Sequence, residues 1–233
     1  QSYGLRDFDK PFRDSHTGML PPKLAQILIN LAISTNSKLN YIIDPFCGSG
    51  TILMEALLMG YNVIGTDIDD IQTNGALLNI NFMKKNFPID ASLNFEIDRM
   101  DARELLIDRK MAKSSVIATE GYLGPAFTQF PEKNEYEQIM NGILLLHKNF
   151  LIKAKNPGVE RIVLCLPVYR KNKEHLFVSG FFEMVRKVGY KVENIFSNEF
   201  MRKYPFLFIS KRGTLIYERL DQIVGREIIV LNT

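Results

Sequence analysis

One stretch, residues 41–67, constrains the fold of this chain more than any other. It begins with the apolar run at 41–43, which ends in Asp44, and continues through a loop with Gly48 and Gly50 into a helical pattern. A second apolar run then ends in Asp67. Strand, glycine turn, helix and strand in this order predict a parallel βαβ unit with a carboxylate at the C-terminal end of each strand. In an open parallel sheet, ligands bind in the crevice at those ends.

The glycine loop in this unit is suited to a nucleoside ligand. Gly48 and Gly50 permit backbone conformations that other residues avoid, and they let a ligand approach closely. Ser49 or Thr51 is expected to cap the following helix, whose N-terminus directs free N–H groups at the ligand. Asp67, about 20 residues further on, can accept hydrogen bonds from both hydroxyls of a ribose. The alternative is a turn that needs its glycines only because it is tight. The position of Asp67, at the end of the next strand, argues against that alternative.

The loop departs from two common nucleotide-binding fingerprints. A dinucleotide site needs a third glycine where this chain has Leu53, and a phosphate-cradling loop needs Gly-Lys-Ser/Thr, which the loop does not contain. Residues 44–51, DPFCGSGT, instead resemble the Asp-Pro-Phe-x-Gly-x-Gly-Thr loop of S-adenosylmethionine-dependent methyltransferases that modify exocyclic amines of nucleic-acid bases. That resemblance implies cofactor contacts from Asp44, Phe46, Cys47, Gly48 and Gly50 at the methionine part, and from Asp67 and Ile68 at the ribose side.

A wider resemblance, over about residues 1–125, is to tRNA guanosine-N2 methyltransferases that act on position ten of tRNA. It rests on Arg6-Asp7, residues 10–14, 20–25, 30–32 and 101–103, and the Asp44 loop. Full-length members carry an N-terminal THUMP RNA-binding module that this sequence lacks, so the resemblance covers the methyltransferase domain only. Beginning at Gln1, the chain is expected to be a fragment of a longer protein.

The same resemblance implies further cofactor contacts. Leu20, Pro22 and Lys23 are expected at the methionine end, although Lys23 is equally well interpreted as a solvated lysine of a first helical turn. Asp101 and Ala102 are expected at the adenine ring, and Asp98 competes with Asp101 for that role.

The residues expected at the reacting centre follow the fourth predicted strand. Amine methyltransferases of this kind place Asp/Asn-Pro-Pro-Tyr there, and this chain has Thr119-Glu120-Gly121-Tyr122. By resemblance, Thr119 occupies the position that accepts from the amine, Glu120 can supply a stronger acceptor, and Tyr122 stacks on the base. The departures leave three interpretations open: a variant catalytic loop, a degraded loop with little activity, and Tyr122 as a packing aromatic.

The rest of the pattern predicts an α/β fold, a doubly wound, Rossmann-like class I methyltransferase sheet that is mostly parallel with an antiparallel C-terminal edge. Residues 1–22 are interpreted as a loop-like extension packed on a single domain, 23–233. Helices are predicted over 23–33, 51–59, 70–86, 134–154 and 174–188. A central parallel strand is predicted over 161–169, and the tail shows strand-like runs at 191–196, 206–210, 214–217 and 227–231, with no room for helices between them.

Composition narrows the class of protein. No apolar run reaches the ~20 residues of a membrane span, and no secretory pattern opens the chain. Cys47 and Cys165 are interpreted as reduced thiols of a cytoplasmic protein, and no metal site is predicted because neither has His or Cys partners at ligand spacing. The net charge of +3 favours no partner class strongly; Arg170, Arg202 and Lys203 are the expected RNA contacts.

The leading functional hypothesis is methyl transfer from S-adenosylmethionine to guanine N2 in tRNA, with S-adenosylhomocysteine as product. Amine methylation of DNA adenine or ribosomal RNA is the alternative within enzymes. A silent, cofactor-binding subunit that presents RNA or a partner protein is the alternative outside them. The expected partner is tRNA, bound through the THUMP module. A small activator protein is a possible second partner, and no membrane partner is expected.

Overall fold

The computed structural model of the protein describes residues 2–13, 19–33, 39–125, 127, 129–171, 174–204, 207, 209–219 and 222–233. Its helices are α1 (Ser2–Asp7), α2 (Pro22–Ile33), α3 (Thr51–Leu58), α4 (Asp70–Asn86), α5 (Arg109–Ala112), α6 (Lys133–Lys155), α7 (Phe181–Val188) and α8 (Asn198–Lys203). Its strands are β1 (Tyr41–Asp44), β2 (Asn62–Asp67), β3 (Phe95–Arg99), β4 (Ser115–Thr119), β5 (Arg161–Lys171), β6 (Glu174–Phe177), β7 (Lys191–Val192), β8 (Leu215–Tyr217) and β9 (Val224–Asn232). A short 3-10 turn covers Ala102–Glu104.

The strands form one mixed sheet in the order β3-β2-β1-β4-β5-β9-β7, with β6 paired to β5 and β8 paired to β9. The run from β3 to β5 is parallel, and β6, β7, β8 and β9 join it by antiparallel pairing. The predicted Rossmann-like class I methyltransferase fold, with a parallel core and an antiparallel C-terminal edge, is confirmed. Because the chain leaves β1 toward β2 and later returns to its other side as β4, the crevice of the sheet opens at the C-terminal end of β1.

The sheet is covered on both faces, which is why its central strands are continuous apolar runs. Ile42 packs in the core with Leu28 of α2 and Leu53 of α3. Its neighbour Ile43 points to the opposite face and packs in the core with Phe150 of α6. Successive side chains of a strand alternate between faces, so this two-residue step anchors β1 in both layers and holds its end in place.

One prediction about the second half of the chain is wrong, and another holds on one side of its strand only. The predicted helix over 174–188 is in fact β6 followed by α7, because β5 extends to Lys171 and pairs with β6 as a hairpin. Tertiary pairing overrides the helical pattern there. The predicted central strand at 161–169 is parallel to β4 but antiparallel to β9.

The tail and the N-terminus also depart from prediction. The tail does contain a helix, α8, where no room for one was expected, and the strand expected at 191–196 is reduced to β7. Residues 206 and 208 of the strand expected at 206–210 lie outside the described residues, and Ile209 forms a single bridge with Leu215. The loop-like extension begins with α1. None of the helices in the described ranges is both long and apolar enough to cross a bilayer.

Candidate active site

The site is built on the ends of β1 and β2, where Asp44 and Asp67 are the last residues of their strands. The Asp67 carboxylate accepts from Gly48 N at 2.9 Å through Oδ2 and from Asp69 N at 3.0 Å through Oδ1. One contact holds the glycine loop against β2, and the other shapes the turn into α4. A carboxylate has about four acceptor positions, so Asp67 keeps capacity for a ligand.

The loop that follows β1 needs glycine at two positions. Gly48 and Gly50 have φ angles of 48° and 81°, a left-handed backbone that other residues rarely adopt. At Gly50, a Cβ would also lie 3.0 Å from the Cβ of Ala76 in α4. The loop closes with hydrogen bonds from Gly50 N to Cys47 O at 2.8 Å and from Cys47 N to Thr66 O at 2.9 Å.

The predicted cap of α3 by Ser49 or Thr51 is wrong. The N-cap is Gly50, and no side chain of the described residues caps this helix. The Thr51 hydroxyl instead accepts from Lys10 Nζ at 3.1 Å, and the Ser49 hydroxyl lies 3.5 Å from the same atom. Lys10 is buried against the loop, and that burial lowers the pKa of its ammonium to about 8. Lys10 was not among the predicted site residues, because a lysine in a charged, proline-containing segment is usually solvated.

Asn79 of α4 joins the N-terminal segment to the glycine loop. Its Nδ2 donates to Phe12 O at 3.0 Å and to Ser49 O at 2.8 Å, and its Oδ1 accepts from Phe12 N at 2.9 Å. Arg6 pairs with the buried Glu55 of α3 at 2.8 Å. Asp14, the last residue of the 10–14 motif, lies outside the described residues. Sequence reasoning missed Asn79, although an amide at an inward position of an apolar helix face was a usable signal.

Asp44 is buried and its carboxylate is held from two sides. Its Oδ1 accepts from the Thr119 hydroxyl at 2.6 Å and from Phe46 N at 3.2 Å. Burial raises the pKa of Asp44 to about 7, and the charges of Asp67 and Glu120 add to the rise. Thr119 is itself completely buried, so its hydroxyl serves Asp44 and does not face solvent.

In the loop after β4, the Glu120 side chain is mostly buried, whereas the Tyr122 side chain is half exposed. The Glu120 carboxylate forms an ion pair with Arg226 of β9. Arg226 is 106 positions from Glu120 along the chain and was not among the predicted site residues.

The buried side of this loop is a close contact with α6. A Cβ on Gly121 would lie 2.9 Å from His147 Nε2 and 2.9 Å from Cys165 O, so only glycine fits. His147 Nδ1 lies 2.8 Å from Ile143 O; since a carbonyl oxygen only accepts, Nδ1 carries the proton and donates it. Burial lowers the pKa of His147 to about 4, which keeps the ring neutral as it stacks on Phe46.

The remaining predicted site residues occupy varied positions. Asp101 follows β3, caps the 3-10 turn and binds Arg103, which lowers the pKa of the Asp101 carboxyl. Asp98, the competing candidate, lies within β3 opposite Thr66. Lys23 Nζ lies 5.3 Å from the Tyr3 ring, toward α1. Of the other predicted cofactor contacts, Leu20, Pro22, Cys47 and Ala102 are buried, whereas Ile68 is exposed.

Strand ends that meet at one crevice, a left-handed glycine loop and an acidic residue on each flank define a class I methyltransferase domain of Rossmann-like fold. Residues 12–114 match the UPF0020 family model, the RMKL-like methyltransferase domain. The matched segment includes the glycine loop, Asp44, Asp67 and Asp101. The part of the chain that holds the crevice is therefore similar to UPF0020 methyltransferase domains.

Two curated relatives share sequence with the chain. It is 32% identical over 162 residues to the tRNA (guanine(10)-N2)-dimethyltransferase of Methanothermobacter thermautotrophicus, covering 69% of this chain and 41% of that protein. It is 32% identical over 128 residues to the protein of the same name from Methanocaldococcus jannaschii, covering 54% of this chain and 34% of that protein. The matches thus span less than half the length of these relatives.

A solved structure supports the fold independently of sequence. The magnesium protoporphyrin IX methyltransferase of Synechocystis PCC 6803, crystallised with bound S-adenosylmethionine, superposes with a TM-score of 0.57. The superposition covers 98% of this chain and 93% of that chain at 11% identity. At so low an identity the likeness concerns the fold alone.

Proposed function

We propose that this chain binds S-adenosylmethionine in the crevice at the ends of β1 and β2 and transfers its methyl group to an exocyclic amine of a nucleic-acid base, guanine N2 in tRNA. The observation that carries the proposal is the pair of carboxylates, Asp44 and Asp67, on adjacent strand ends around a left-handed glycine loop. The two relatives described above support the choice of substrate, because they are named for that reaction on tRNA.

The residues of the crevice fit the groups of this cofactor. Asp67, with acceptor positions to spare, would bind the two ribose hydroxyls. The Asp44 carboxyl lies beside the glycine loop, where it and the loop backbone would hold the methionine ammonium and carboxylate groups. The Ala102 backbone, next to the Asp101 cap, would lie against the adenine. Leu20 and Pro22 would close the methionine end.

On binding, the cofactor supplies a methyl group that is already activated on a sulfonium sulfur and needs no acid catalyst. The task of the protein is to align the amine nitrogen with that methyl group and to stabilise positive charge on the nitrogen. We assign Glu120 as the acceptor for an amine hydrogen and Tyr122 as the ring that stacks on the base. Thr119 remains at the site in a positioning role, because its hydroxyl is engaged with Asp44.

The test is transfer of labelled methyl from S-adenosylmethionine to tRNA, ribosomal RNA and DNA in parallel, followed by nucleoside analysis. The proposal expects label in tRNA as N2-methylated guanosine. Label in DNA adenine or in ribosomal RNA would show that this nucleic acid, and not tRNA, is the substrate. Cofactor binding without transfer to tRNA, ribosomal RNA or DNA would indicate the silent subunit. Tyr122→Ala should lower transfer by about tenfold or more while leaving cofactor affinity within about twofold, since stacking is worth about 1–3 kcal/mol per base.

A further inference from the structure

Arg226 is joined to the site from the antiparallel half of the sheet. It lies in β9, opposite Pro167 of β5 on one side and Tyr217 of β8 on the other. Its Nε donates to Glu120 Oε1, and the two side chains are only 8% and 19% exposed. One hydrogen bond uses only part of the acceptor capacity of a carboxylate, so Glu120 can bind a second donor while Arg226 holds it.

We propose that Arg226 is a positioning residue for methyl transfer, which holds the Glu120 carboxylate at the end of β4, oriented toward the amine of the target base. The inference rests on the proposed function. It adds Arg226 to the residues assigned to methyl transfer. It also gives a reason why the loop after β4 can position its acceptor without the prolines of the related Asp/Asn-Pro-Pro-Tyr loop. There the prolines stiffen the backbone, whereas here the ion pair fixes the side chain.

The surroundings of Glu120 make the ion pair necessary. Burial raises the pKa of the Glu120 carboxyl, and the Arg226 guanidinium opposes that rise. The other titratable groups facing it give no compensation: Asp44 of β1 is acidic, the Cys165 thiol of β5 is neutral, and His147 of α6 is held neutral. Tyr217 of β8 acts on Arg226 rather than on Glu120. Without Arg226, the pKa of Glu120 would rise further, so the carboxyl would more readily hold a proton and act as a donor where an acceptor is needed.

The backbone around Glu120 leaves the side chain as the adjustable part. Gly121 is wedged between His147 Nε2 and Cys165 O, and Thr119 is bonded to Asp44. These contacts fix the residues on either side of Glu120 without Arg226. Loss of the guanidinium should therefore change the ionisation and orientation of Glu120 more than the path of the loop.

The experiment compares Arg226→Gln and Arg226→Lys with the wild type by tRNA methylation from about pH 6 to pH 9 and by calorimetry with S-adenosylmethionine. The matched control is Arg161→Gln, which breaks a partly buried ion pair with Glu193 at the opposite end of β5. For Arg226→Gln we expect kcat to fall by about tenfold or more near pH 7, with less loss at high pH, and cofactor Kd to stay within about twofold. Arg226→Lys should recover part of the loss, and Arg161→Gln should keep the wild-type kcat.

A double-mutant comparison guards against a folding defect. If Arg226 acts through Glu120, adding Arg226→Gln to Glu120→Gln should change kcat by less than about twofold. An Arg226→Gln protein with wild-type kcat overturns the inference. So does a loss of kcat that is the same at every pH and is accompanied by lost cofactor binding, because that marks a structural role. A wild type that binds the cofactor but methylates no nucleic acid overturns the proposed function as well, and is seen before any variant is made.

Discussion

Asp44 is the residue of this site whose burial most clearly lowers the stability of the folded state. The fold places a carboxylate in a buried position at the end of β1, within the fields of Asp67 and Glu120. Two hydrogen bonds, from Thr119 and Phe46, offset only part of the cost of burying that charge. A group kept at such cost at a ligand crevice is characteristic of a functional site.

The cost should be measurable as a dependence of stability on pH. Unfolded, Asp44 holds its proton only below about pH 3.8, whereas folded it holds the proton up to about pH 7. The folded state therefore binds more protons between these values, so this residue makes stability fall as pH rises, and the full penalty is present above pH 7. Asp44→Asn without cofactor should exceed the wild-type free energy of unfolding by about 2–4 kcal/mol at pH 8, and the gain should shrink toward pH 4. Denaturant unfolding at both pH values checks this, and an equal difference at both would contradict it.

The residues that sequence could predict are those whose role is local. Asp44 and Asp67 each end an apolar run within one βαβ unit, so their positions follow from patterns a few residues long. Thr119 meets Asp44 from 75 positions away, and Arg226 meets Glu120 from 106. Thr119 was predicted as a site residue but not as the partner of Asp44, and Arg226 does not stand out in β9, so both contacts become visible only once the strand order is known.

At the scale of elements, the described part of the N-terminal segment packs against α4 and the glycine loop. The Phe12 ring packs against α4 so closely that a Cβ on Gly75 would lie 2.1 Å from it. Asn79, one helical turn further along α4, bonds the backbone of Phe12 and of Ser49. Sequence alone predicted α4 at its observed bounds but only a loose extension before α2, because the partners that order the extension lie on another element.

A pair of glycine substitutions tests this packing. Replacing glycine by alanine within a helix ordinarily adds about 0.5–1 kcal/mol of stability. Gly142 in α6 faces open space, so Gly142→Ala should raise the thermal midpoint. Gly75→Ala should lower it, because the new methyl group displaces Phe12. Adding Phe12→Ala to Gly75→Ala should remove the penalty of the clash. Equal stabilisation by Gly75→Ala and Gly142→Ala would show that Phe12 does not pack on α4.

At the scale of the whole molecule, the order of the strands brings the site together. The chain passes from β1 to β2 on one side and returns to β4 on the other, so the ends of all three strands meet at one crevice. The antiparallel half of the sheet adds β9, and with it Arg226, to the same edge. The fold class could be predicted from alternating patterns, whereas β6 and α8 could not, since their short segments depend on pairing and packing with distant parts of the chain.

The most direct test of the account is calorimetry of S-adenosylmethionine binding to the wild type and to Asp67→Ala, with Arg161→Gln as control. Thermal unfolding of each protein without cofactor confirms that it is folded. The account predicts saturable binding of one cofactor per chain, a Kd raised about tenfold or more in Asp67→Ala because hydrogen bonds to a charged group are lost, and an unchanged Kd in the control. Absence of binding heat in the folded wild type, or full affinity in Asp67→Ala, would contradict the placement of the cofactor between Asp44 and Asp67.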